Sequence, residues 1–159
     1  LKNIKIYSKM KDIFYPRLNE FERSEDPSRT LDLGRKRKVE EWINKYTKYT
    51  KYKINSDWTI DVRELVIPSQ RYWDLKEIPE YVDFGICHGS VIIRDQNLMS
   101  MKGLPKVVKG DFFVDNNKIE DLEGCPKQVD GDFYIRGNKE KFTVDEIKKI
   151  CTVGGRIVV

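Results

Sequence analysis

The sequence predicts an α+β chain in which a helical N-terminal arm and cap lead into a short parallel β-sheet solenoid. A C-terminal capping helix and a final strand close it. Three observations carry this expectation. Gly110-Asp-Phe-Phe-Val-Asp-Asn-Asn117 returns 21 residues later as Gly131-Asp-Phe-Tyr-Ile-Arg-Gly-Asn138, and self-similarity at a fixed period is the signature of stacked repeats. Each unit follows apolar-x-apolar-x-x-Asn/Gln-x-apolar, a short strand with period-2 side chains and then a turn. Both flanks change to helical spacing, as caps must, because a terminal coil would otherwise leave its core open to water.

In chain order, residues 1–34 form an N-terminal arm with Ile4, Ile6, Met10, Ile13 and Phe14 on a helical face or in a short strand and loop. Pro16 and Ser24-Glu-Asp-Pro-Ser28 are expected to interrupt any long element there. Residues 35–53 hold an N-terminal capping helix, from Arg35 to about Tyr49 with Val39, Trp42, Ile43 and Tyr46 inward, and a basic-aromatic tract. The array spans residues 54–142. Its copies align Leu65 and Ile67 with Val91 and Ile93, then with Phe112 and Val114, then with Phe133 and Ile135. Gly103-Leu-Pro105 and Gly124-Cys-Pro126 reverse the chain, Gly by admitting positive φ and Pro by fixing φ. An Asn or Gln at the turn (Gln70, Gln96, Asn117, Asn138) is placed to hydrogen-bond backbone groups of the coil and to sit beneath its counterpart. Residues 143–159 form the second cap. Thr143-Val-Asp-Glu146 is a capping box, Val144, Ile147, Ile150 and Cys151 make an apolar face, and Arg156-Ile-Val-Val159 adds a strand beside Phe133–Ile135.

These units resemble the leucine-rich-repeat-like arrays of uncharacterised proteins from large tailed bacteriophages. The resemblance covers about residues 38–159, including Trp58-Thr-Ile-Asp-Val62 as a lead-in strand and Lys141 to Val159 as a terminal cap. The array is short, and Gln70 and Gln96 stand where that family carries Asn, which weakens the turn ladder of the early coils. The resemblance implies a leucine-rich-repeat-like fold and binding rather than catalysis. It also implies a phage-encoded protein in the cytoplasm of an infected bacterial host, or a virion component.

Composition points the same way. No apolar run approaches the roughly 18 residues of a membrane span, and Lys alternating with Ile and Tyr at the N-terminus is unlike a secretory signal. Cys87, Cys125 and Cys151 have no CxxC spacing and are expected as reduced thiols. The lone histidine, His88, removes most metal and triad chemistry. Its neighbour Cys87 projects to the opposite strand face, so the two cannot share a proton. Asp111, Asp115, Asp130 and Asp132 cluster locally, yet a hard cation needs more oxygen ligands than they supply. No catalytic residue, metal or cofactor is expected.

Two surfaces remain for function. Strand alternation turns Val66, Ile92, Phe113, Tyr134 and Val158 outward as one column, flanked by Glu64, Ser90, Asp111, Asp132 and Arg156 on one side and Pro68, Arg94, Asp115 and Arg136 on the other. An apolar stripe rimmed by charge is what a protein-binding face looks like. The expected partner-binding set is therefore Val66, Ile92, Phe113, Tyr134, Arg94, Arg136 and Asp115. The alternative occupant of the stripe is the chain's own N-terminal arm.

The second surface follows from charge. Residues 1–53 carry 15 Lys/Arg against 8 Asp/Glu, whereas residues 54–159 carry 15 against 18. A basic arm suits an anionic partner or docks on its own acidic body. Lys45, Lys48, Lys51 and Lys53 interleaved with tyrosines, and Arg35, Lys36, Arg37 and Lys38 upstream, would suit nucleic acid by neutralising phosphates while rings stack on bases. The structural alternative is tyrosines in the core beneath a solvated lysine face.

Overall fold

The structure, a computed structural model, describes residues 27–48, 50–69 and 74–159. The expectations for residues 1–26, Tyr49 and Gln70 lie outside the described residues. The chain divides into two units, Leu1–Lys38 and Val39–Val159. Helix α1 (Pro27–Tyr46) supplies the described part of the first unit and opens the second. It begins eight residues earlier than the sequence suggested. Pro27 was expected as a breaker, but at the first helical position its missing N–H costs nothing and its φ is already helical. Val39, Trp42 and Ile43 are buried as expected, with the Trp42 ring 6.2 Å from that of Phe84.

The second unit is a solenoid whose coils each give one strand to each of two sheets. One sheet is the expected array: β3 (Leu65–Val66), β5 (Val91–Ile92), β7 (Phe112–Phe113), β9 (Phe133–Tyr134) and β11 (Ile157–Val158), all parallel. The other was anticipated only at its lead-in strand, Trp58–Val62, which the structure places at Thr59–Val62. It runs through β1 (Tyr52–Ile54), β2 (Thr59–Val62), β4 (Asp83–Cys87), β6 (Val107–Val108), β8 (Gln128–Val129) and β10 (Thr152–Val153). It is parallel throughout except where β1 meets β2. The chain after each Gly-x-Pro turn thus builds another strand before the next repeat begins. Gly103 and Gly124, with φ of 82° and 80°, make those turns.

The core lies between the sheets and the connecting segments. Leu65, Val91, Phe112 and Phe133 stack as fully buried rungs, and the Phe112 and Phe133 rings lie 4.9 Å apart. Leu98, Met101, Leu104 and Ile119 fill the third side. The turn amides act as expected, and across coils. Asn117 Nδ2 donates to Ile93 O at 2.7 Å and Val114 O at 3.0 Å, while its Oδ1 accepts the Leu98 N–H at 3.2 Å. Asn138 repeats this toward Ile119 and Val114 one coil later. Gln96 donates to Pro68 O, and its own oxygen is buried without a partner. That asymmetry is the weaker early ladder the Gln substitution implied.

Helix α2 (Val144–Ile150) starts with the predicted reciprocal capping box. Thr143 N–H donates to Glu146 Oε2 at 2.8 Å, and Glu146 N–H donates to Thr143 Oγ1 at 3.3 Å. Ile147 and Cys151 are buried, but Ile150 is exposed, so the apolar face is narrower than its spacing suggested. The helix lies between β9 and β10, in the place that the return segment between β7 and β8 holds one coil earlier. No described helix is long and apolar enough to cross a membrane.

Candidate functional site

The repeat register brings the predicted column together. Val66 pairs with Ile92, Ile92 with Phe113, Phe113 with Tyr134 and Tyr134 with Val158. All five are half-buried on the outer side, while their chain neighbours Leu65, Val91, Phe112 and Phe133 fill the core. At about 4.8 Å per rung the column is about 19 Å long. Its centre is a ring pair: Phe113 and Tyr134 stack with centroids 4.7 Å apart and planes 24° apart.

Two charge clusters hold these rings from opposite sides. Arg94 lies with its guanidinium carbon 5.1 Å from the Phe113 centroid, a cation–π contact. Its Nε and Nη2 both reach Asp115 Oδ2, at 3.0 and 2.9 Å. Across the column, Tyr134 donates its hydroxyl to Asp132 Oδ2 at 3.2 Å, and Arg156 Nη2 reaches the same oxygen at 2.7 Å and the Tyr134 oxygen at 3.2 Å. Hydrogen bonds from the Arg156 guanidinium, then from its backbone N–H, hold the Asp132 carboxyl below the usual carboxylate range. Both rings are therefore held in place by contacts within the chain.

Asp115 departs from expectation. Alternation placed it as a rim charge, but its side chain is 1% exposed while that of Arg94 is 42% exposed, because Arg94 folds over it. Asp115 is a positioning residue beneath Arg94, with one oxygen unpartnered. Arg136, one coil on, is exposed on the same flank.

The flanking aspartates, expected only as stacked surface neighbours, are structural. Ser90 Oγ accepts the Asp111 N–H at 3.0 Å, Asp111 Oδ1 the Asp132 N–H at 2.8 Å, and Asp132 Oδ1 the Arg156 N–H at 2.7 Å. Each carboxylate tucks under the glycine that precedes the next donor. A Cβ on Gly131 would meet Asp111 Oδ1 and stand 2.9 Å from the Gly110 backbone. That close approach accounts for the repeated Gly-Asp pair, the one sequence signal that could have disclosed the ladder. Arg156, placed by alternation in the flanking column with Asp132 but not among the expected partner-binding residues, joins the site through its bonds to Asp132 and Tyr134.

His88 is exposed, whereas the Cys87 thiol is buried against the carbonyls of Gly89 and Ser90 at 3.4 and 3.5 Å, and burial raises it. Among the described residues, no three His, Cys, Asp or Glu side chains group as metal ligands.

The basic residues fall into both units. Arg35, Lys36, Arg37 and Lys38 are exposed on α1 in the first unit, and Lys45, Lys48, Lys51 and Lys53 are exposed in the second. Of the interleaved tyrosines, the two that the structure describes are engaged in packing. Tyr46 lies 5.1 Å from Trp42 and beneath Lys45 Nζ at 4.9 Å, and Tyr52 packs on the core from β1. Neither ring stands free to stack on a base.

No family model, curated protein or solved structure matches the chain. What it does must therefore be argued from this geometry.

Proposed function

We propose that the protein is a non-enzymatic, phage-encoded protein-binding module that recognises a host or phage protein through the outward face of the β3–β11 sheet. The observation that carries this reading is the stacked Phe113–Tyr134 pair, held between Arg94–Asp115 and Arg156–Asp132. Aromatic rings and arginines dominate binding hot spots, and energy concentrates at rigid, central anchors. Val66, Ile92 and Val158 extend the apolar contact, while Arg94 and Arg136 on one flank and Arg156 on the other supply charge that sets orientation more than affinity. The engagement of Tyr46 and Tyr52 in packing favours this reading over nucleic-acid binding.

The test is affinity capture from an infected bacterial lysate with wild type beside a Phe113→Asp, Tyr134→Asp double variant. The variant keeps the wild-type circular dichroism spectrum and loses the captured protein. Retention of every captured protein overturns the reading. Unfolding of the variant overturns it too, because the rings would then be packed against another part of the chain.

A further inference from the structure

We propose that the cavity between α1 and the segment joining β3 to β4 binds an alkylated ammonium group, such as a trimethylammonium head. The cavity has a volume of about 330 Å³, within the range of small-ligand sites. Three aromatic rings line it, those of Trp42, Tyr46 and Tyr81, together with the apolar Leu75 and Pro79. Trp42 and Tyr46 come from α1, where a four-residue spacing puts them on one face, and their centroids lie 5.1 Å apart. Tyr81 comes from a turn closed by the Val82 N–H bond to Pro79 O at 2.8 Å. Repeat stacking does not require this tyrosine. The coil that holds it is longer than the next one, and the added residues lie between Pro79 and Cys87, whose later counterparts are Pro105 and Val108. Tyr81 is nonetheless a large ring kept 37% exposed at the cavity.

Aromatic rings attract a cation held within about 6 Å of their centroids. The Tyr46 ring already does so within the chain, since Lys45 Nζ stands 4.9 Å from its centroid. The charge on the lining also has the sign for a cation. Lys76 Nζ lies 4.0 Å from Asp74 Oδ2, and Asp74 Oδ1 accepts Asn97 Nδ2 at 2.6 Å. Glu77, exposed at the cavity, makes no ion pair or hydrogen bond among the described residues. One lysine therefore stands against two carboxylates, and the unspent charge is that of Glu77. An anion would meet this carboxylate, whereas a cation neutralises it. A bare ammonium is compact and strongly hydrated. Alkyl groups spread the same charge over an apolar surface, which the three rings, Leu75 and Pro79 can cover without replacing lost hydrogen bonds. The shared chemistry has two sources, a free choline-like solute and the trimethylated side chain of a lysine. The lining residues all lie outside the β3–β11 sheet, so this site is separate from the binding face described above.

The experiment titrates the whole chain at low salt and follows the ring signals of Trp42 and Tyr81 by NMR. The probes are tetramethylammonium, choline, trimethyllysine blocked at both ends, and the neutral isostere of choline in which carbon replaces nitrogen. The three cations should move both signals saturably, and the isostere should bind about tenfold more weakly than choline. Tyr81→Ala should weaken the cations by about 2–5-fold, read at Trp42. Glu77→Gln should weaken them too, by a factor that shrinks as salt is added. Both side chains are exposed, so both variants should keep the wild-type circular dichroism spectrum; should Tyr81→Ala unfold, Glu77→Gln and the isostere decide. Tighter binding of blocked trimethyllysine than of choline would assign the group to a protein side chain, and the reverse to a free solute. Equal binding of choline and its isostere, shifts absent from Trp42 and Tyr81, or unchanged affinity in the folded variants would each overturn the proposal.

Discussion

Replacing Asn117 by Ala tests whether the turn amide ties two coils together. The carboxamide serves Ile93 O, Val114 O and Asp115 O as a donor and the Leu98 N–H as an acceptor, all from a buried position. Val114 O keeps a bond from Asn138 Nδ2 at 3.0 Å, so its loss is partial. Ile93 O and Leu98 N–H are the groups that lose the bond bridging the coils. A buried polar group left unpaired costs about 1–3 kcal/mol, so two such groups give about 2–6 kcal/mol. Against a total stability of about 5–15 kcal/mol, that is a large fraction. Urea unfolding followed by circular dichroism and tryptophan fluorescence measures it, with an unchanged denaturant slope reporting an intact two-state reference. A loss at Asn117 of under about 1 kcal/mol would refute the bridge.

Other expectations follow from the same register. Phe133→Ala removes a fully buried ring packed 4.9 Å from Phe112 and should cost about 3–5 kcal/mol in denaturant melts; a smaller loss than for half-buried Tyr134→Ala would mean the sheet faces are reversed. Asp132 titrates below its ordinary value in the folded state, so its contribution is present above the unfolded value and is lost as pH falls through the folded one. Asp132→Asn should therefore flatten the acid limb of stability below about pH 4, and an unchanged limb would dismiss the Arg156 contact as energetically idle. Replacing Lys45, Lys48, Lys51 and Lys53 by Glu should leave low-salt gel shifts of RNA and DNA probes as blank as wild type; salt-sensitive retardation by wild type, lost in the variant, would instead favour the nucleic-acid reading.

The faces of the outer sheet were legible because period-2 alternation recurs at a constant spacing, which sets register and burial together for Phe112, Phe113, Phe133 and Tyr134. The second sheet beyond its lead-in strand was not, because β6 and β8 are two-residue strands with one inward residue each, Val108 and Val129. That is too short for alternation to be seen between flanking Lys, Gly and Pro. Asp115 misled for a different reason. Alternation gives the direction of a Cβ, while burial also depends on what a long neighbour such as Arg94 covers. Pro27 misled because the same residue that breaks a helix interior begins one well. The Gly-Asp ladder was written in the sequence, yet its meaning requires two coils in register, which only the stacked structure supplies.

The most direct measurement of the central claim is site-specific photo-cross-linking in infected cells. A benzoylphenylalanine would be placed at Phe113 on the outer face of β7, or at Val107 on the outer side of the other sheet. Cross-links to one protein from position 113, with none from position 107, are the predicted result. Cross-links from position 107 with none from 113 would contradict the assignment of the binding face.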